Sequence, residues 1–345
     1  MTEDAEQFRR ERRRHFRELV LAQVIAGLIV AAIVYVFTRR VEPHLDERFR
    51  GVPDDFATVA EAAFAARPEP FAAGSEEDHS RSNVRLWEAV RQVSSPRKPL
   101  GRDHPAGPQE TGDCVAWGLA TALAHTGAVQ ALAAGRTTVD DPFQPFLYGL
   151  TRTLHGRPSP PCGQAGAYPT TAAEAFECCG WVSYREAGFN YSGRLADEWG
   201  CTGPPAALRE LAKSRGGGSW YPIRSLEEWQ NAICSGFATT VAIPWAPGRI
   251  VVKDGRQCIT SWGRGGGHQV ACVGFDGSTG RRYWCLFNSH GAGWPAGHPP
   301  LQGEPPGTCW TDEAGARWIL ENGVVIAISS VPGFKPVDLN WDAFQ

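Results

Sequence analysis

The sequence predicts an α+β fold in which a helical half precedes a β-rich half, and three observations predict it. From Cys114 to Ala134 the chain is rich in Ala and Leu with apolar residues at helical spacing, and Gly135 supplies a stop. Residues 136–220 carry short helical stretches broken by turn residues. From Phe237 onward the pattern becomes strand-like, at Phe237–Ile243, Arg249–Val252, His268–Phe275 and Arg281–Asn288. A further helix at Asp312–Glu321 stops at Asn322–Gly323, and an apolar strand follows at Val324–Ser329. Helices first and strands later let two halves meet along a cleft.

Four regions are expected along the 345 residues: a charged tail at 1–18, a membrane helix at 19–37, a stalk or propeptide-like region at 38–107, and a catalytic domain at 108–345. Leu19 to Phe37 has Gln23 as its only strongly polar member, and a helix of that length nearly matches a hydrocarbon core of about 30 Å. A lipid bilayer is therefore an expected partner through Leu19–Phe37. Arg9, Arg10, Arg12, Arg13, Arg14 and Arg17 precede the run, against Arg39, Arg40, Arg48 and Arg50 after it. That bias favours a cytoplasmic N-terminus and a single-pass protein whose catalytic domain lies on the non-cytoplasmic side. Within the stalk, helices are expected near Phe56–Ala66 and at Val84–Val93.

Composition narrows the function. A net charge of −3 and a pI near 6.3 provide no basic field for nucleic acid, so none is expected as a partner. The ten cysteines all lie between Cys114 and Cys309 and form no C-x-x-C pair, so the usual zinc and redox spacings are absent and neither metal nor cofactor is expected. Cys272 and Cys285 fall in apolar strand-like runs and read as buried hydrophobes.

Cys114 stands at the head of the long helix, where unpaired N–H groups and the helix dipole favour a thiolate, the nucleophilic form. Asp113 occupies the expected N-cap, its carboxylate accepting first-turn N–H groups. His268 follows Gly265–Gly266–Gly267 and opens an alternating strand. If Phe275 and Arg281 flank a five-residue turn as a pair, an ungapped hairpin sets Asn288 directly across from His268, with Cβ atoms roughly 5 Å apart. An amide there can accept from the imidazole N–H and fix the ring.

These segments resemble the papain-like cysteine peptidases. Gln109–Trp117 looks like the family's glutamine–cysteine segment, Gly267–Phe275 like its histidine strand, and Tyr283–Trp294 like its asparagine segment; Pro161–Gly166 is similar to its glycine-containing substrate wall. The resemblance implies a papain-like fold and a catalytic trio of Cys114, His268 and Asn288. It further implies Gln109 as oxyanion donor, and substrate contacts at Gly163, Gly166, Gly267 and His290. A peptide or protein substrate would be cleaved through a thioester on Cys114. The sequence departs from the family at several points. Gln109 is five residues before Cys114 where the family usually has six, and Thr111 or Gly112 occupies the place of an earlier cysteine. Val115 replaces an aromatic, and His290 stands where a tryptophan shields the Asn–His bond. These departures motivate two alternatives: a catalytically silent papain-like binding or assembly module, and a Cys–His cell-wall amidase.

Overall fold

The computed structural model describes residues 51–64, 70–71, 82–298, 300–301 and 303–337. The charged tail and the expected span at 19–37 lie outside the described residues. Among the described residues no helix is long and apolar enough to cross a membrane.

The helical half is organised around α3 (Cys114–Ala133), which follows α1 (Phe56–Phe64) and α2 (Leu86–Arg91) in the chain. Helix α3 has no polar stripe; nearly every residue on every side is buried, as expected of a helix packed from all directions. Around it lie α4 (Gln144–Thr153), α5 (Pro169–Cys179), α6 (Tyr184–Ala187), α7 (Gly193–Thr202) and α8 (Ala206–Arg215). Phe143, Phe146, Val182 and Trp199 close a small separate core among these helices.

The β half is a nine-stranded sheet among the described residues. Its strands are β1 (Asn83–Arg85), β2 (Ser219–Ile223), β3 (Thr239–Pro244), β4 (Ile250–Lys253), β5 (Arg256–Ile259), β6 (Gly267–Asp276), β7 (Tyr283–Phe287), β8 (Thr308–Asp312) and β9 (Val324–Ser329). They run in the order β2-β9-β3-β6-β7-β8-β5-β4, with β1 added beside β6; α9 (Leu226–Cys234) and α10 (Glu313–Asn322) complete the half. Every residue of β6 is buried, because α3 packs against this strand. Gly118 makes that approach possible: a Cβ there would lie 2.8 Å from Gln269 Cγ. The helix headed by Cys114 and the strand that carries His268 are thereby brought into direct contact.

The helix expected near Phe56–Ala66 is present over Phe56–Phe64, and residues 65–66 lie outside the described residues. Two local expectations are corrected. The helix expected at Val84–Val93 begins only at Leu86, because Asn83–Arg85 is drawn into the sheet against Gly274–Asp276. The ungapped hairpin does not hold either. Asp276 pairs with Tyr283 and Phe275 with Trp284, and a register shift falls between Cys272 and Gly274. Asp276 Oδ1 accepts from Ser278 N–H at 2.9 Å and from its hydroxyl at 2.6 Å, which starts the turn one residue later than the arithmetic assumed.

Candidate active site

Cys114 is the first residue of α3 and is fully buried. Burial dominates at its sulfur and, with the neighbouring Asp113 carboxyl, pushes the thiol up to about 12 against the backbone N–H groups of Gln269, Gly51 and Val115, which favour the anion. Asp113 stands at the N-cap, yet its side chain makes no capping bond, which corrects the expectation from sequence. Its Oδ1 accepts instead from the Tyr191 hydroxyl at 3.3 Å, and its Oδ2 is buried with no hydrogen-bond partner. Burial, with Asp197 and Glu110 nearby, holds the carboxyl well above the ordinary aspartate range.

His268 and Asn288 do meet. The amide oxygen Oδ1 lies 2.9 Å from His268 Nε2 and also accepts the Ser289 N–H at 2.7 Å. Two donors on Oδ1 fix the amide orientation and place the imidazole proton on Nε2. The pairs Ala271–Phe287 and Cys272–Leu286 show how this happens without direct opposition. One step further in that register sets Asn288 opposite Val270, so His268 is its diagonal neighbour on the same face. His290 lies 4.6 Å from His268 between ring centroids, and Trp245 lies 4.8 Å from it. Burial, then the neighbouring His268, lowers His290 to about 2.

The loop before the nucleophile is tied down at several points. Gln109 Oε1 accepts from Ser289 Oγ at 2.6 Å while Nε2 donates to Thr111 O at 2.6 Å, so its amide bonds within its own surroundings. Thr111 Oγ1 donates to Asp197 at 2.8 Å, and Glu110 binds the Gly193 N–H at 2.8 Å. Opposite this loop, the buried Arg152 donates to Tyr148 Oη, Gln164 O, Pro160 O and Pro161 O at 2.5–3.0 Å. The Tyr148 hydroxyl accepts the Gly166 N–H at 3.0 Å. Arg152 and Tyr148 thus shape the wall that carries Gly166. A Cβ added at Gly163, by contrast, would meet nothing within 4 Å.

Sequence reasoning missed a strap across this cleft. Gly51 and Val52 donate their N–H groups to Gly267 O at 3.1 and 3.2 Å, and Gly51 O accepts the Ala167 N–H at 2.8 Å. The backbone of Gly51 therefore bridges the Gly166 wall and the histidine strand directly over Cys114. Only glycine fits, because a Cβ would lie 2.3 Å from Gly112 O and 2.6 Å from Cys114 Sγ. The strap's grip on the cleft comes from chain folding that no local pattern announces. Trp245 was also missed, one of 13 tryptophans with no distinguishing neighbour motif.

The remaining cysteines are structural. Cys162 and Cys201 form a disulfide that links the wall loop to α7, and adjacent Cys178 and Cys179 form another. Cys272 and Cys285 are free and buried, as expected.

The helical half led by the Cys114 helix and the β half that carries His268 and Asn288 together have the papain-like cysteine-protease fold. Xylellain, a cysteine protease from Xylella fastidiosa, is similar with a TM-score of 0.52 and 16% identity, over 82% of this chain and 96% of that one. Procathepsin L 3 of Tenebrio molitor larval midgut gives a TM-score of 0.52 and 16% identity, over 83% and 78% of the two chains. A procathepsin B from Trypanosoma congolense gives 0.50 and 12%, over 84% and 88%. No family model and no curated protein sequence matches the chain.

Proposed function

We propose that the protein is a cysteine peptidase acting through Cys114, His268 and Asn288. The observation that carries this reading is the strap. The cleft already holds an extended peptide backbone over the thiol, bonded on one side to Gly267 O and on the other to the Ala167 N–H. A substrate peptide would use the same donors and acceptors once the strap has moved. Cys114 attacks the substrate carbonyl as thiolate, with first-turn N–H groups of α3 receiving the oxyanion. Asn288 holds His268 through Nε2, which leaves Nδ1 as the nitrogen that exchanges a proton with the thiol. The C–N bond breaks as His268 passes that proton to the leaving amine. Water then attacks the thioester, giving a proton to His268, and the carboxylic acid leaves. The peptidase would be held at a bilayer through Leu19–Phe37, with this domain on the non-cytoplasmic side.

The test labels the full chain with an electrophilic thiol probe and measures peptide hydrolysis for wild type, Cys114→Ala and His268→Ala. Gly51→Val is run in parallel, so that a covered thiol is told apart from an inert one. Labelling and hydrolysis that appear with Gly51→Val and vanish with either site substitution support the reading. A Cys114 no more reactive than the other thiols, even with Gly51→Val, refutes it and leaves the binding module.

A further inference from the structure

We propose that the cleft is selective for glycine: the substrate residue that offers its carbonyl to Cys114 must lack a side chain. This selectivity rests on the peptidase reading and names its substrate class. The strap shows what the slot over the thiol accepts. Gly51 N–H donates to Gly267 O at 3.1 Å, and Gly51 O accepts the Ala167 N–H at 2.8 Å, so one residue is held from both rims. With its N–H anchored on the histidine strand, the carbonyl such a residue can turn toward Sγ is its own. In the strap that carbonyl is engaged by Ala167. In a substrate it is the one Cys114 attacks, and the chain is cut after the glycine.

The slot is narrow because backbone forms most of its walls. A Cβ on the residue at Gly51 would lie 2.3 Å from Gly112 O and 2.6 Å from Cys114 Sγ. The Gly112 carbonyl has no room to retreat. On one side Thr111 donates to Asp197 through its hydroxyl at 2.8 Å and accepts from Gln109 Nε2 at 2.6 Å. On the other side stands Asp113, the N-cap of α3. Nor can the peptide shift toward the opposite wall. A Cβ on Gly166 would lie 3.0 Å from both Gly51 C and Gly51 O, and the Gly166 N–H is fixed on Tyr148 Oη at 3.0 Å. On the histidine strand, a Cβ on Gly267 would lie 2.3 Å from Val52 O. Three segments thus approach the bound backbone so closely that each does so through a glycine. An alanine in the slot is relieved only by pulling the peptide off its two anchoring bonds, and one surplus methyl against a rigid wall costs roughly 10- to 200-fold. The next position is different: Val52 is buried at 6% exposure with its branched side chain accommodated, so the restriction falls on one residue.

The experiment uses the full chain carrying Gly51→Val, in which the strap lifts, and has two arms. In the first, a peptide library randomised around the cleaved bond is digested and the cut sites are read by mass spectrometry. Cuts should follow glycine, and alanine at that residue should lower kcat/KM by about 100-fold. In the second, Cys114→Ala is added to prevent turnover, and a synthetic peptide with the strap's own sequence, residues 50–56, is titrated by calorimetry. Gly51→Ala in the peptide should weaken binding by about ten-fold or more, because Gly112 O remains when Sγ is gone. Asp54→Ala in the same peptide should change nothing, since Asp54 is exposed. Should Gly51→Val not fold, Gly51→Ala in the chain intrudes less and serves both arms. Frequent cuts after residues other than glycine overturn the selectivity and leave the peptidase reading standing. An alanine peptide that binds as tightly as the glycine peptide also overturns it, as does a slot that binds neither. Glycine-selective binding by a chain that cuts no library peptide would sink the peptidase reading and leave the glycine slot standing.

Discussion

Acid should unfold this protein through two buried histidines packed behind β7. His125 is fully buried in α3, with Nδ1 donating to Thr121 O at 2.8 Å and Nε2 without a partner. His104 packs against it at 5.7 Å between ring centroids, and both rings rest on Phe287, the residue before Asn288. Burial, outweighing the Thr121 carbonyl, lowers His125 from 6.5 to about 4. Burial and the neighbouring His125, Arg97 and Lys98 lower His104 well below its ordinary value. Below pH 6.5 the unfolded chain therefore binds protons that the folded chain refuses, so stability falls with pH through that window and levels off once His125 titrates in the native state. At about 1.4 kcal/mol per unit, His125 alone removes about 2 kcal/mol by pH 5 and about 3 kcal/mol below pH 4. His104 adds in the same direction. The assay is urea unfolding of the full chain from pH 8 to pH 4, comparing wild type with His125→Gln. The substitution keeps a donor for Thr121 O but cannot titrate, so the difference in stability between the two chains should narrow by about 2 kcal/mol between pH 8 and pH 5. A difference that stays constant across that range would refute the reasoning.

Three further outcomes are expected. Gly51→Val cannot seat its Cβ between Gly112 O and Cys114 Sγ, so the strap should lift and iodoacetamide should alkylate Cys114 at least about ten-fold faster; mass spectrometry of the labelled peptide reads this. Arg152→Met removes four hydrogen bonds from the wall loop. It should cost about 3 kcal/mol in urea unfolding and raise KM more than it lowers kcat. Asp113 has a raised folded-state pKa, so above the ordinary aspartate value the unfolded chain loses its proton more readily than the folded chain, and stability falls as pH rises. Asp113→Asn should therefore raise stability at pH 7 relative to pH 4, read by urea unfolding of both chains at the two pH values.

The parts of the site legible in the sequence are those whose chemistry is carried by neighbours along the chain. Cys114 could be placed because a helix start is a local pattern, and its strand-borne partners because strands alternate locally. The pairing of His268 with Asn288 was reached by an arithmetic that the structure corrects. A turn displaced by Asp276 and a register shift at Val273 leave the two residues diagonal, and a diagonal pair shares a face just as an opposed pair does. Asp113 was misread because an aspartate before a helix is usually a cap. Here Tyr191, more than seventy residues away in the chain, takes its Oδ1 instead. Strands β2, β5 and β8 went unassigned because each is short and owes its existence to partners elsewhere in the sheet.

What surrounds the trio could not be read locally, because it is assembled from remote segments. Thr111, standing where the family resemblance leads one to expect a cysteine, donates to Asp197, and Cys162 pairs with Cys201 across the wall. The nucleophile loop is therefore held to the helical half by hydrogen bonds from α7 rather than by a covalent link to the wall. His290 occupies the place of an expected tryptophan, while Trp245 brings a large ring to the imidazole from a different strand. In both cases the contacts come from residues remote in the chain. The bond between His268 and Asn288 is made while the residues around it depart from the family's signature. That pattern accounts for a chain with the papain-like fold at 12–16% identity to the solved structures it is similar to.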